Sequence, residues 1–121
     1  MDLHKSKHII FANYRKEENS LIYLLNEECK FVISAFWEYY DAIAFVTRNS
    51  IKNEDLSAQI AISYQGFLKE LIWHFAPNDI TVINDLPENY IDYIERLDFA
   101  IRAYYEDKPE WLRDELFDLQ R

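Results

Sequence analysis

The single glycine in this 121-residue chain, Gly66, limits what the chain can fold into. Glycine is the residue that most readily adopts positive φ, so a chain with one glycine has few positions suited to tight hairpin turns. Glycine-rich phosphate loops need several glycines at fixed spacing, which excludes them here. The sequence therefore predicts a helical fold with few positions at positive φ, rather than a strand-rich one.

The strongest helical pattern runs from residue 19 to residue 48 without glycine or proline. Ser20 is the predicted N-cap, and apolar residues follow at helical spacing. A helix of that length is long for a domain of this size. We predict a break at residues 26–30, where polar side chains interrupt the apolar run.

Three further helices are predicted. One runs from an N-cap at Asn53 to about residue 75 and contains Gly66, which a close helix crossing would explain. Another spans about 85–106, with Pro87 near its start, and the last opens at residue 108. The predicted core stripes of the first two are Leu56, Ile60, Tyr64, Phe67, Leu68, Leu71, Ile72 and Phe75, and Ile91, Ile94, Leu97, Ile101 and Tyr104.

These elements predict an all-α fold, a single compact bundle of four to five main helices forming one domain over residues 1–121. Half of the residues are hydrophobic, which is enough for a core. Residues 80–83 have β-favouring side chains. We interpret them as a loop, and a short strand paired with residues 8–11 stays open as an alternative.

The net charge of −9 restricts the classes of molecule that the chain can bind. It repels nucleic acid and anionic membranes, and it favours a basic protein partner. The N-terminal residues do not resemble a signal peptide, and no apolar run reaches the roughly 20 residues of a membrane span. The only cysteine, Cys29, cannot form an intramolecular disulfide. We expect a cytoplasmic protein.

No catalytic motif, cofactor site or metal site is predicted. The three histidines, His4, His8 and His74, lack the further ligands at defined spacing that a metal site needs. Glu38 and Asp41 have the spacing of an acid–base pair on a helix, but carboxylates in that pattern are usually a solvated face. The sequence is less typical of an enzyme than of a binding protein.

The run Phe36-Trp37-Glu38-Tyr39-Tyr40-Asp41 is the first candidate binding surface. Six consecutive helical residues cover every side of a helix, so they cannot all face one core. Trp37, Glu38, Tyr40 and Asp41 are predicted to point outward or sideways and to contact a partner, since Trp and Tyr dominate interface energetics. The alternative is that these rings pack against the C-terminal helices.

The C-terminal third is the second candidate. Residues 85–121 contain 11 acidic and 5 basic side chains, a net of −6 out of −9. Asp92 and Glu95 lie on one stripe of their predicted helix, and Asp114 extends the negative field. We predict these three as electrostatic contributors to binding.

The Glu38-Tyr39-Tyr40-Asp41 run, in an acidic and aromatic-rich helical chain, resembles bacterial toxin-immunity proteins of the colicin and contact-dependent growth inhibition type. Colicin immunity proteins use a tyrosine pair flanked by acids, although here no proline follows the pair. The resemblance implies an inhibitor that performs no chemistry and neutralises a basic nuclease toxin.

Two other functions remain open. A helical adaptor or homodimer would bury its spare aromatic side chains against a partner or a second copy. A small helical enzyme or ligand-binding protein would need a pocket, for which Trp37, Tyr40, Trp73 and His74 are the candidate lining residues.

Overall fold

A computed structural model describes residues 1–76, 82–112, 119 and 121, and these residues form five α-helices. They are α1 (Leu3–Arg15), α2 (Leu21–Glu27), α3 (Ile33–Arg48), α4 (Glu54–His74) and α5 (Tyr90–Tyr105), followed by one 3₁₀ turn at Pro109–Trp111. Helix α3 packs against α1 and α5, while α4 packs against α1 and α2. The described part of the chain contains no strand, only an isolated bridge between Lys30 and Asn84. The predicted all-α bundle is confirmed.

The break in the long helical segment is confirmed, at residues 28–32 rather than 26–30. Ser20 caps α2 as predicted, its hydroxyl accepting a 3.2 Å hydrogen bond from the backbone N–H of Tyr23. After α2 the backbone bonds with a distant segment: Phe31 N–H donates to the Asn84 carbonyl at 3.2 Å, and Asn84 N–H donates to the Cys29 carbonyl. These bonds replace the helical ones, and α3 begins at Ile33 after an extended residue, Val32.

Helix α4 begins where the sequence predicts, with Oδ1 of Asn53 accepting a 2.9 Å hydrogen bond from the N–H of Leu56. Helix α5 begins at Tyr90, later than the predicted start near residue 85. Asp85 has φ 62°, which is incompatible with a helix, and the N–H of Tyr90 donates to the carbonyl of Pro87 at 3.0 Å in a turn. The predicted last helix begins as the 3₁₀ turn, and its residues 113–118 and 120 lie outside the described ones.

Helix α1 is an element that the sequence analysis did not predict. Asp2 caps it by accepting a 2.8 Å hydrogen bond from the N–H of Lys5, and Ile9 and Ile10 enter the core. Because residues 8–11 are helical, the alternative in which they pair as a strand with residues 80–83 is wrong. Of the latter, residues 80 and 81 lie outside the described ones.

The expectation of few positive φ angles is also wrong. Six described residues have positive φ and none is glycine: Lys16, Asn19, Cys29, Ser50, Asp85 and Asp107. Lys16 follows α1 directly, with φ 54° and ψ 44°. This left-handed geometry lets the N–H of Glu17 reach the carbonyl of Ala12 at 2.8 Å, so the helix end is satisfied despite the steric cost.

The core lies around α3, ten of whose sixteen residues are buried. Helix α3 is covered by α1 on one side and α5 on another, which leaves few of its positions at the surface. None of the described helices combines the length and apolar composition that crossing a membrane requires.

Candidate functional site

Trp37 and Tyr40 do not point outward: they are 6% and 1% exposed. The predicted orientation is therefore wrong for both rings. Helix α5 covers this side of α3, bringing Tyr93 to 6.2 Å from Trp37 between ring centroids and the guanidinium carbon of Arg96 to 4.5 Å from the Tyr40 centroid. The rings pack against a C-terminal helix, as the alternative in the sequence analysis has it.

The carboxylates of the same run remain accessible. Glu38 is exposed and Asp41 is half-buried. Both carboxylate oxygens of Asp41 accept hydrogen bonds from one terminal nitrogen of Arg121, at 3.0 and 2.9 Å. The Arg121 guanidinium carbon also lies 4.3 Å from the centroid of the Trp37 ring. A carboxylate and an indole face thus hold a cationic side chain between them, at the edge of a surface groove of about 840 Å³.

The predicted electrostatic contributors are placed as follows. Asp92 and Glu95 are exposed on α5. Asp114 lies outside the described residues. On the same helix, Asp98 accepts from the hydroxyl of Tyr64 and forms an ion pair of 2.9 Å with Nε of Arg102.

An apolar groove between α4 and α5 is the feature that the sequence analysis missed. Ile72, Phe75 and Ile91, predicted to face the core, are 65%, 54% and 54% exposed. The groove has a volume of about 480 Å³. Its described lining residues are Leu68, Leu71, Ile72 and Phe75 from α4 and its C-cap, and Tyr90, Ile91 and Ile94 from α5.

The geometry of the two helices explains the groove. At one end, the hydroxyls of Tyr104 and Ser57 lie 2.8 Å apart, which joins the C-terminal part of α5 to the first turn of α4. Tyr64 of α4 reaches Asp98 of α5 at 3.0 Å. Past that bond the facing side chains are apolar, and Ile72, Phe75 and Ile91 among them are exposed to solvent. At the far end the rings of Phe75 and Tyr90 contact each other, with centroids 5.2 Å apart.

Charge is distributed unevenly along the rims of the groove. Glu95 follows Ile91 by four residues, so its carboxylate lies one helical turn further along the α5 rim. Lys69 is exposed on the α4 side, between Leu68 and Ile72. At the closed end, burial raises the pKa of Tyr64 well above its usual value, and the hydrogen bond to Asp98 and the charge of that carboxylate raise the pKa further. The α5 rim is therefore acidic.

A sequence signal for the groove exists in the run Leu71-Ile72-Trp73-His74-Phe75. Five consecutive helical residues cover more than one face, so they cannot all be buried by one neighbour. Trp73 is 46% exposed, like the groove residues beside it. As in residues 36–41, such a run predicts that part of the segment faces solvent.

The candidate metal-ligating and pocket-lining side chains do not come together in one site. His4 and His8 are exposed on α1, and Nδ1 of His74 accepts a 2.9 Å hydrogen bond from the N–H of Ile83. The described residues contain no group of three or more His, Cys, Asp or Glu side chains arranged to hold a metal ion. Trp73 is exposed beside His74, whereas Trp37 and Tyr40 are buried against α5.

Comparison of the chain with protein-family models, curated proteins and solved structures finds no match.

Proposed function

We propose that this protein is a cytoplasmic inhibitor that binds a basic protein partner, with a bacterial nuclease toxin as the partner class. The observation that carries the proposal is the groove between α4 and α5. It exposes Ile72, Phe75 and Ile91 together on the surface of a small acidic protein. Contiguous exposed apolar side chains with a polar rim are typical of protein interaction sites.

Charge complementarity determines which partner the groove fits. The exposed carboxylates of Asp92 and Glu95 lie on α5, whose Ile91 and Ile94 line the groove. The chain as a whole has a net charge of −9. A partner with apolar anchors flanked by Lys and Arg gains from both features, and nuclease domains are basic because they bind phosphates. Its basic side chains would lie over α5 rather than over Lys69 of α4.

A homodimer formed through the same groove is the second candidate, favoured by the exposed apolar side chains. Two copies would bring two chains of net charge −9 together, with acidic α5 rims near the interface. Like charges at an interface oppose association, so the basic partner is the better fit. Sedimentation at micromolar concentration separates the candidates, because a dimer would contradict the single-partner proposal.

The test first asks whether an exported protein with a basic C-terminal domain is encoded immediately upstream of this chain, and then uses that domain as the binding partner. We expect a tight 1:1 complex whose association rate constant falls at least tenfold between 20 and 300 mM salt. Absence of binding, or an association rate that does not change with ionic strength, would overturn the proposal. Absence of such a neighbouring gene would favour the alternative function, a helical adaptor protein.

A further inference from the structure

The structure holds an arginine side chain on the predicted Trp37–Asp41 surface. Arg121 donates to both carboxylate oxygens of Asp41, and its guanidinium group covers the Trp37 ring. A carboxylate combined with an aromatic face is a site that suits guanidinium better than ammonium, because guanidinium is planar and binds at an edge and a face together.

This contact is easily exchanged. The side chains of Arg121 and Asp41 both remain substantially accessible to solvent. Exposed ion pairs of this kind contribute little to stability, so water or another cation can replace Arg121 at small cost. The fold does not depend on the contact, since Trp37 is also packed against Phe36, Tyr40 and Tyr93.

The groove beside the contact has room for a ligand. Its volume of about 840 Å³ is within the range of sites that bind peptides and small molecules. The charged groups of its described lining are the carboxylates of Glu38 and Asp41, the side chains of Lys5 and Arg121, and the amino group of Met1. When Arg121 moves away, Asp41 loses its 2.9 Å ion-pair partner and becomes available to another cation.

We propose that Trp37 and Asp41 form a receptor for an arginine side chain of the partner, and that Arg121 occupies this receptor in the free protein. The inference rests on the proposed function, because the arginine comes from a basic protein partner. Partner binding then exchanges one guanidinium for another on the same two groups. Glu38, one helical turn from Asp41, attracts further basic side chains into the groove.

The experiment measures binding of the blocked peptide Ac-Ala-Arg-Ala-NH₂ by the NMR shift of the Trp37 indole N–H. Arg121→Ala is expected to tighten binding by roughly two- to sixfold, the competition that an exposed ion pair exerts. Asp41→Asn in the Arg121→Ala background is expected to abolish the shift. Glu17→Gln is the matched control, since it removes one exposed carboxylate elsewhere on the surface. The lysine analogue should bind several-fold more weakly than the arginine peptide.

Equal affinity in wild type and Arg121→Ala would overturn the proposal, as would an Asp41→Asn variant that binds like Glu17→Gln. Both substitutions are at accessible positions, and thermal unfolding midpoints equal to that of the wild type would show that the fold is intact. The two proposals fail separately. If the arginine peptide does not bind at Trp37 and Asp41 but the partner still associates in a salt-dependent way, only the arginine receptor is contradicted. Peptide binding without partner association contradicts the proposed function alone.

Discussion

The hydroxyl of Tyr64 on α4 donates a 3.0 Å hydrogen bond to Oδ1 of Asp98 on α5, and this bond lies at the closed end of the apolar groove. Asp98 also pairs with Arg102, so its carboxylate is held in place from its own helix. Tyr64 is thereby fixed relative to α5, and the apolar side chains beyond it are presented on two helices whose spacing is set. A preorganised groove loses less entropy when a partner binds.

Replacing Tyr64 by phenylalanine tests that relationship. Tyr64→Phe retains the ring and removes the donor to Asp98, whose pairing with Arg102 remains. We expect a loss of about 1 kcal/mol in the free energy of unfolding, the usual net value of one hydrogen bond. Urea denaturation measures it. Partner dissociation should accelerate as well, and an unchanged dissociation rate would show that the bond does not organise the groove.

Serine substitutions in the groove test whether it is the interface. Ile72→Ser and Ile91→Ser remove exposed apolar side chains and should change the free energy of unfolding by less than about 0.5 kcal/mol. Each is expected to accelerate dissociation of the basic partner about tenfold or more, as measured by surface plasmon resonance, because interface anchors act mainly on dissociation.

The matched control is Ile62→Ser. Ile62 is on the same helix, is 49% exposed and is not among the residues that line the groove. Its substitution should leave dissociation unchanged. If all three variants behave alike, general hydrophobicity rather than the groove accounts for binding.

Tyr39 makes stability depend on pH in the alkaline range. Its ring is fully buried and its hydroxyl lies 2.5 Å from that of Ser63. Burial raises the pKa of Tyr39 far above its usual value of 10.0, and the Ser63 hydrogen bond only partly opposes that rise. The folded state therefore favours the neutral phenol. The contribution of the neutral Tyr39 phenol to the free energy of unfolding is complete below pH 10. It is lost as the pH rises above 10, because the tyrosine ionises more readily in the unfolded chain than in the folded one.

The variant Tyr39→Phe should reduce this dependence. Above pH 10 the free energy of unfolding of the wild type should fall more steeply than that of the variant, by about 1.4 kcal/mol per pH unit. Denaturant titrations at pH 8, 10 and 11 measure both slopes. Parallel curves for the two proteins would contradict the assignment to Tyr39.

Helix identity and caps could be predicted because they depend on local chemistry. Ser20 and Asn53 cap helices as the sequence indicates, and the polar interruption after α2 marks a real break. Local reasoning failed at α1, whose residues mix Lys, His and Ile without a clear apolar stripe. That helix is stabilised by packing against α3 and α4, which single-sequence periodicity does not reveal.

The candidate surface was harder to predict, because exposure depends on where neighbouring helices end. Trp37 and Phe75 both belong to aromatic-rich runs that cover more than one helix face. Trp37 is buried because α5 lies across it, while Phe75 is exposed because it follows the last turn of α4 as its C-cap, at the far end of the groove. The sequence pattern is similar at both positions, and only the arrangement of α5 distinguishes them. The acidic character of α5, in contrast, can be predicted from the sequence without knowing how the helices are arranged.

The helix end at Lys16 gives a prediction of stability. Lys16 is exposed and has left-handed geometry, which costs a residue with a Cβ about 1 kcal/mol or more. Lys16→Gly should therefore raise the free energy of unfolding by about 1 kcal/mol. Arg15→Gly, one residue earlier and inside α1, is the control and should lower it. Denaturant midpoints that fall for both variants would contradict the role of the left-handed conformation.

At the only glycine of the chain, the stabilising substitution is the reverse one, from glycine to alanine. Gly66 lies inside α4 with helical geometry, where it costs about 1 kcal/mol relative to alanine. A Cβ built at Gly66 would lie 3.6 Å from Cγ2 of Ile22 in α2, an ordinary van der Waals distance. The crossing of α2 and α4 thus has room for one methyl group, and Gly66→Ala should stabilise the protein by about 1 kcal/mol with an unchanged denaturant m-value.

Gly66→Val is the comparison, because its two γ-carbons extend past the space in front of Ile22 and valine is a poorer helix former. It should be less stable than Gly66→Ala. If Gly66→Ala is itself destabilising, the two helices approach more closely than the Ile22 contact indicates, and the glycine is required by the crossing.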